Sequence, residues 1–132
     1  MTALAESTRA VSLTVPAKPD YVVLARLALG AVCRLAPLTP EEVGDLKLAM
    51  TEAAAMVVAS PLDEVQDHPP MQFRFDVQDD RVVLEVSGGG SPVMAEDERE
   101  LSAAIIEATV DEYSRDGDRM TLVKRLRRSG EQ

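Results

Sequence analysis

The order of two hydrophobic periods along this chain is the feature that most constrains its fold. A period of two, typical of a strand with one buried face, occurs in residues 9–16, 71–78 and 81–86. A period of three to four, typical of a helix with one buried stripe, occurs in residues 21–35, 40–58 and about 97–109. Strand-forming and helix-forming segments therefore alternate in blocks.

The end of the chain adds a second hairpin to this order. The segments VDEYSR and RMTLVKRL flank a DGD turn, in which Asp116 and Gly117 are a tight-turn signal. The full order is strand, helix, helix, two strands, helix, two strands. Antiparallel hairpins beside separate helices predict the α+β class, a two-layer sandwich with three helices on one face of a mixed or antiparallel sheet.

The chain shows no internal repeat and no linker long enough to separate two domains. Its 132 residues suit one core of ordinary size, so we expect a single domain over residues 1–132. The basic residues Arg127 and Arg128 begin a short polar tail, and we expect residues 127–132 to be frayed.

The second helix has the clearest start signal. Thr39 is placed as the N-cap, Pro40 as the first helical residue and Glu42 as the third, which together predict a capping box. At 100° per residue, its core stripe is Val43, Leu46, Met50, Ala53, Ala54 and Val57. Glu52 and Met56 fall on the opposite side, beside the small residues Ala55 and Ala59.

The same spacing assigns core stripes to the other two helices. For the first helix the stripe is Leu24, Leu27, Ala28, Ala31 and Leu35. For the third helix it is Leu101, Ile105 and Ala108. These assignments predict which side of each helix lies on the sheet.

Charge and composition exclude several classes of function. The chain has 14 basic and 23 acidic residues, a net charge of −9, and such a field repels phosphate. We therefore expect no direct nucleic-acid partner, and a basic protein surface suits the charge better. Cys33 is the only cysteine, which excludes an intramolecular disulfide. With His68 as the only histidine, we expect Cys33 to be a buried thiol and predict no metal site made of these residues.

The apolar run YVVLARLALGAVC begins about 20 residues into the chain and contains Arg26. Neither its position nor its end fits a signal peptide. No segment reaches the roughly 18 uninterrupted apolar residues that a membrane span requires. We therefore expect a cytoplasmic protein without a membrane partner.

Two segments, DLKLAMTEAAAMVV (45–58) and VDEYSRDGDRMTLVKRL (110–126), together with the element order, resemble a known family. The chain is similar over residues 9–126 to the anti-sigma-factor serine kinases of the GHKL, or Bergerat-fold, ATPase superfamily. This resemblance implies a nucleotide site with ATP and Mg²⁺ as cofactors. It places Glu52 where the family has a general base, and Met56 where it has an asparagine that helps to hold Mg²⁺. A thioether is a poor substitute, because Mg²⁺ prefers hard oxygen ligands.

The other nucleotide motifs of the family are also altered. The family has an aspartate that accepts a hydrogen bond from adenine, and this position falls on Ser87 or Gly88 in the stretch SGGGSP (87–92). The glycines are retained through Gly90, although the stretch taken alone also suits an ordinary loop. A phosphate-binding glycine motif is replaced by the acidic start of the third helix, EDERE (96–100), which repels phosphate. We therefore expect ATP and Mg²⁺ binding to be weak or absent.

The resemblance leaves more than one function open. The leading hypothesis is an anti-sigma regulatory factor that sequesters an alternative sigma factor and is countered by an antagonist protein. The resemblance implies a homodimer through the first strand and neighbouring elements, and the first strand and first helix are the candidate contact elements. The alternative is an active serine protein kinase that uses Glu52 and phosphorylates the antagonist. A third reading is a structural or scaffold module without a sigma partner. Glu52 taken by itself is either a vestigial base or a solvated surface residue.

Overall fold

A computed structural model describes residues 9–58, 69–88 and 95–126. The strands are β1 (Arg9–Val15), β2 (Met71–Val77), β3 (Arg81–Gly88), β4 (Glu112–Asp116) and β5 (Arg119–Arg125). The α-helices are α1 (Val22–Cys33), which follows one 3₁₀ turn (Pro19–Tyr21), α2 (Pro40–Ala55) and α3 (Glu96–Thr109). The order of elements is the one that the hydrophobic periods predict.

Within the described residues, five strands form one sheet in the order β1-β2-β3-β5-β4. Every neighbouring pair is antiparallel, with Phe73 opposite Val86 and Val86 opposite Met120 across the three central strands. The fold is therefore α+β, with three helices and an antiparallel open sheet, as the sequence predicts.

The core lies between one face of this sheet and the helices. The buried residues of the central hairpin share that face: Met71, Phe73, Phe75, Val77, Val82, Leu84 and Val86. Because successive strand residues point to opposite faces, Arg74 and Glu85 lie on the other side of the sheet. Against the core face pack Leu46, Met50 and Ala53 of α2, all fully buried, which confirms the predicted stripe of that helix.

The start of α2 has the predicted geometry. The Thr39 hydroxyl oxygen accepts a hydrogen bond from the Glu42 backbone N–H at 3.1 Å, and the Glu42 carboxylate accepts one from the Thr39 backbone N–H at 2.9 Å. Two backbone donors that the helix leaves unpaired are thereby satisfied. The capping box is confirmed.

The predicted stripe of α1 is wrong. Its buried residues are Ala25, Leu29, Val32 and Cys33. Leu24, Leu27 and Leu35 are 44%, 67% and 46% exposed. Both sets have helical spacing, and the set that includes Leu29 and Val32 is the one that packs against the neighbouring elements. Ala28 of the predicted stripe is partly buried against the core, whereas Leu24, Leu27 and Leu35 lie outside it. Cys33 is buried, as expected.

The predicted stripe of α3 is also wrong, since Leu101 is 63% exposed while Ser102 and Ile106 are buried. A serine does not count as a core residue in a hydrophobic pattern, so the pattern selected the adjacent side. Met56 is likewise only 1% exposed, although the helical projection placed it opposite the core. The helix ends at Ala55, and a tighter bond from the Met56 N–H to the Ala53 carbonyl turns the chain inward.

The closing hairpin joins β4 and β5 as predicted, with Gly117 at a φ of +62° in the turn. Among the described residues, none of the helices combines the length and the apolar character that crossing a membrane requires. The predictions about residues 127–132, His68 and Gly90 concern positions outside the described residues.

Candidate functional site

A hydrogen bond between α2 and α3 marks the candidate site. The Ser102 hydroxyl of α3 donates to the Glu52 carboxylate of α2 at 2.8 Å. Ser102 is 5% exposed and Glu52 is half-buried. Helix α3 therefore lies beside Glu52, whose carboxylate is held by a neighbouring element rather than being fully solvated.

The second site position on α2 does not share this surface. Met56 lies in the hydrophobic core with a side chain that is 1% exposed. The resemblance implies an amide at this position, on the same helix face as the carboxylate. Here a thioether occupies the position and packs inward, so Glu52 has no polar companion one turn later.

The glycine at the end of β3 has no room for a side chain. Gly88 has a φ of +95°, and an ideal Cβ placed on it would lie 2.1 Å from the Pro70 carbonyl oxygen. Both the backbone conformation and the contact with a neighbouring main chain exclude an aspartate at this position. Of the two positions that the resemblance allows for an adenine acceptor, Gly88 is structurally closed.

Ser87 is the other position that the resemblance allows for an adenine acceptor, and it lies on the sheet face away from α2. It follows the buried Val86, pairs with Gln72 and Arg119, and is half-buried. Because alternate residues point to opposite faces, its side chain belongs to the face away from α2. Neither Ser87 nor Gly88 therefore supplies a carboxylate toward Glu52.

The first turn of α3 carries a concentrated negative charge. Glu96, Asp97 and Glu98 occupy it, and the N-cap Ala95 provides no side-chain hydrogen bond. A helix N-terminus alone favours anions, but three carboxylates there oppose a phosphate group. Arg99 follows them, half-buried, and its Nε has no hydrogen-bond partner among the described residues.

In the described part of the chain, no three His, Cys, Asp or Glu side chains are grouped so that they could hold a metal ion. Burial raises the pKa of the Cys33 thiol, and the nearby Lys47 ammonium opposes that change more weakly. Cys33 is therefore a protonated core residue, which is a poor metal ligand and a poor nucleophile.

These elements match a known domain. The sequence pattern of the histidine kinase-like ATPase domain covers residues 15–125, from the end of β1 to the end of β5. The chain belongs to the histidine kinase-like ATPase family. This match includes α2 with Glu52, the end of β3 with Gly88, and α3 with Ser102.

Curated relatives of this histidine kinase-like ATPase domain are serine-protein kinases RsbW. The protein from Bacillus licheniformis is 30% identical over 112 residues, covering 84% of this chain and 70% of the relative. The protein from Bacillus subtilis is 31% identical over 117 residues, covering 88% and 72%. The protein from Listeria innocua is 31% identical over 81 residues, covering 61% and 51%.

The family implies ATP and Mg²⁺ as cofactors, and the described residues do not fit them. The amide position is a buried methionine, the acceptor position is closed at Gly88, and the start of α3 is acidic. The sequence alone predicted the methionine at position 56 and the acidic first turn of α3. Sequence reasoning missed Ser102, for which the available signal was a small polar residue one turn before the apolar Ile106 on the predicted third helix.

Proposed function

We propose that this chain is an anti-sigma regulatory factor that works by binding a sigma factor, with ATP binding weakened or lost. The observation that carries the proposal is Gly88, where a Cβ would meet the Pro70 carbonyl oxygen at 2.1 Å. This position cannot anchor adenine, and the family fold is otherwise retained. A domain that keeps its surfaces and loses its nucleotide contacts is suited to stoichiometric binding.

The size of the expected loss of ATP affinity supports this proposal. Removing one buried polar anchor costs about 1 to 3 kcal/mol, so two or three such losses weaken binding by about two to four decades or more. Glu52 does not compensate, because a carboxylate repels phosphate unless a cation lies between them.

The proposed partners are a sigma factor, an antagonist protein and a second copy of the chain. β1 is an edge strand of the sheet, and Arg9, Ala10, Val11 and Ser12 are exposed. An exposed strand edge can pair with the same strand of another copy, which is a route to a homodimer. A sigma factor as partner places the protein in the cytoplasm.

One observation favours a second function, an active serine protein kinase. The Ser102 hydroxyl holds the Glu52 carboxylate at 2.8 Å, and a carboxylate fixed in this way is suited to act as a general base. In this reading Glu52 accepts the proton of the substrate hydroxyl of an antagonist protein.

Binding without nucleotide distinguishes the two functions. Each sigma factor of the source organism is purified, mixed with the nucleotide-free chain in EDTA, and analysed by gel filtration and by run-off transcription with core polymerase. The proposal predicts that one sigma factor forms a stable complex and loses its transcription activity. Complex formation that requires Mg-ATP would contradict the proposal, and phosphate transfer to an antagonist that Glu52→Ala abolishes would establish the kinase instead.

A further inference from the structure

A groove between α1 and the first half of α2 lies apart from the site at Glu52. Its volume is about 620 Å³. Its apolar lining residues include Leu27, Ala31, Leu38 and Val43, and Leu27 is 67% exposed. A leucine exposed to this extent beside a groove is a contact surface that the monomer leaves uncovered.

The rim of this groove is basic, although the chain as a whole is acidic. Arg26, Arg34 and Lys47 line it, and no carboxylate does so among the described residues. These three cations form no salt bridge within the described parts of the chain. Within the described residues, a protein with a net charge of −9 thus keeps three positive groups without a salt bridge around one apolar surface.

The ammonium group of Lys47 lies within the groove, close to Gly30 of α1. A Cβ built on Gly30 would lie 3.4 Å from the Lys47 Nζ, so the ammonium group lies across the α1 backbone at its glycine. The absence of a side chain at Gly30 leaves this position accessible. The apolar lining and the positive groups therefore belong to one continuous surface.

We propose that this groove binds an acidic amphipathic helix of another protein. A helix about 10 Å wide presents apolar residues at positions i, i+3 or i+4, and i+7, which would cover Leu27 and its apolar neighbours. Carboxylates flanking that stripe would meet Arg26, Arg34 and Lys47. An extended polyanion, such as nucleic acid or an anionic membrane, would also meet the remaining acidic surface and be repelled. The inference names a docking surface for another protein and so rests on the proposed partner-binding function. It involves neither nucleotide nor Glu52, and the peptide experiments below test it separately from sigma-factor binding.

Two synthetic 18-residue peptides test the chemistry of the occupant. Both carry the same leucine stripe, and the flanking positions are glutamate in one and lysine in the other. Each is titrated into the ¹⁵N-labelled chain and followed by NMR and fluorescence anisotropy. The glutamate peptide is expected to bind at least tenfold more tightly and to shift the amides of residues 26–34 and 43–47. Equal affinities, or shifts confined to other regions, would overturn the proposal.

Matched variants locate the binding surface. Leu27→Gln and Arg34→Gln are each expected to weaken the glutamate peptide by about fivefold or more. The controls Leu101→Gln, a leucine 63% exposed on α3, and Arg74→Gln, an exposed arginine on the opposite sheet face, are expected to change nothing. Circular dichroism establishes that all four variants are folded. Unchanged binding in both groove variants would overturn the proposal.

Two further measurements decide between occupants. Sedimentation of the chain alone, with and without Leu27→Gln, detects a second copy in the groove, and flotation with anionic phospholipid vesicles detects a membrane. No effect of the variant on either measurement supports a helix of another protein. Self-association or vesicle binding that Leu27→Gln abolishes would assign the groove to those occupants and overturn the proposal.

Discussion

Gly88 ends β3 at a φ of +95°, a conformation that side chains rarely adopt, with a neighbouring carbonyl oxygen where a Cβ would lie. We expect Gly88→Ala to lower the free energy of unfolding by about 2 to 4 kcal/mol, because backbone strain and the clash with Pro70 add. The matched control is Gly44→Ala in α2, where nothing lies within 4 Å of the added methyl.

In the control, Gly44→Ala should raise the free energy of unfolding by about 0.5 to 1 kcal/mol, because it removes a glycine from a helix. Urea unfolding of both variants measures the two changes. If Gly88→Ala were as stable as the parent, an aspartate could also be accommodated there, and the argument against adenine binding would lose its basis.

The bond from Ser102 to Glu52 gives a second prediction for single residues. A hydrogen bond to a carboxylate in a partly buried place contributes about 1 to 2 kcal/mol. A double-mutant cycle of Ser102→Ala and Glu52→Ala, measured by urea unfolding, should give a coupling energy of that size. A coupling near zero would mean that the contact between α2 and α3 does not depend on this pair.

How far the sequence reveals these residues depends on distance along the chain. The replacement of an amide by Met56 is visible in the sequence, because it needs only local spacing. The closure of Gly88 depends on Pro70, which the pairing of Met71 with Gly88 brings close. The role of Ser102 depends on how α3 packs against α2, 50 residues away. Neither contact is encoded locally.

Among the elements, the start of α2 is the most clearly determined by local sequence. We expect Thr39→Ala to lower the free energy of unfolding by about 1 kcal/mol, since it removes the hydroxyl that accepts from Glu42 at 3.1 Å. The control is Glu41→Gln, an exposed neighbour outside the capping box, for which a change below about 0.5 kcal/mol is expected. Equal effects of the two substitutions in urea unfolding would show that the capping box contributes nothing specific.

The existence of each helix could be predicted, whereas the buried face of two of them could not. In α1, two sets of apolar residues have helical spacing, and the set with Ala25 and Leu29 is the one buried. In α3 the buried face includes Ser102, which a hydrophobic pattern passes over. Periodicity fixes the helix, but the choice of face depends on how closely the neighbouring elements approach.

For the whole molecule, the net charge of −9 makes a prediction about the proposed sigma partner. A basic sigma domain should associate faster at low salt than at high salt, because long-range attraction is screened over about 10 Å at 0.1 M. Stopped-flow mixing measures the rate. Glu98→Lys with Glu100→Lys should slow it if the start of α3 contributes. A rate that does not change with salt would contradict electrostatic steering.

The central claim is that the fold of a nucleotide-binding family is retained here without tight nucleotide binding. Isothermal titration calorimetry of the purified chain with Mg-ATP tests it most directly. The serine-protein kinase RsbW of Bacillus subtilis, run in the same buffer, serves as the reference protein. We predict no saturable heat for this chain up to about 1 mM ATP, in keeping with the loss of two or three polar anchors. Saturable binding with a micromolar dissociation constant would contradict the account.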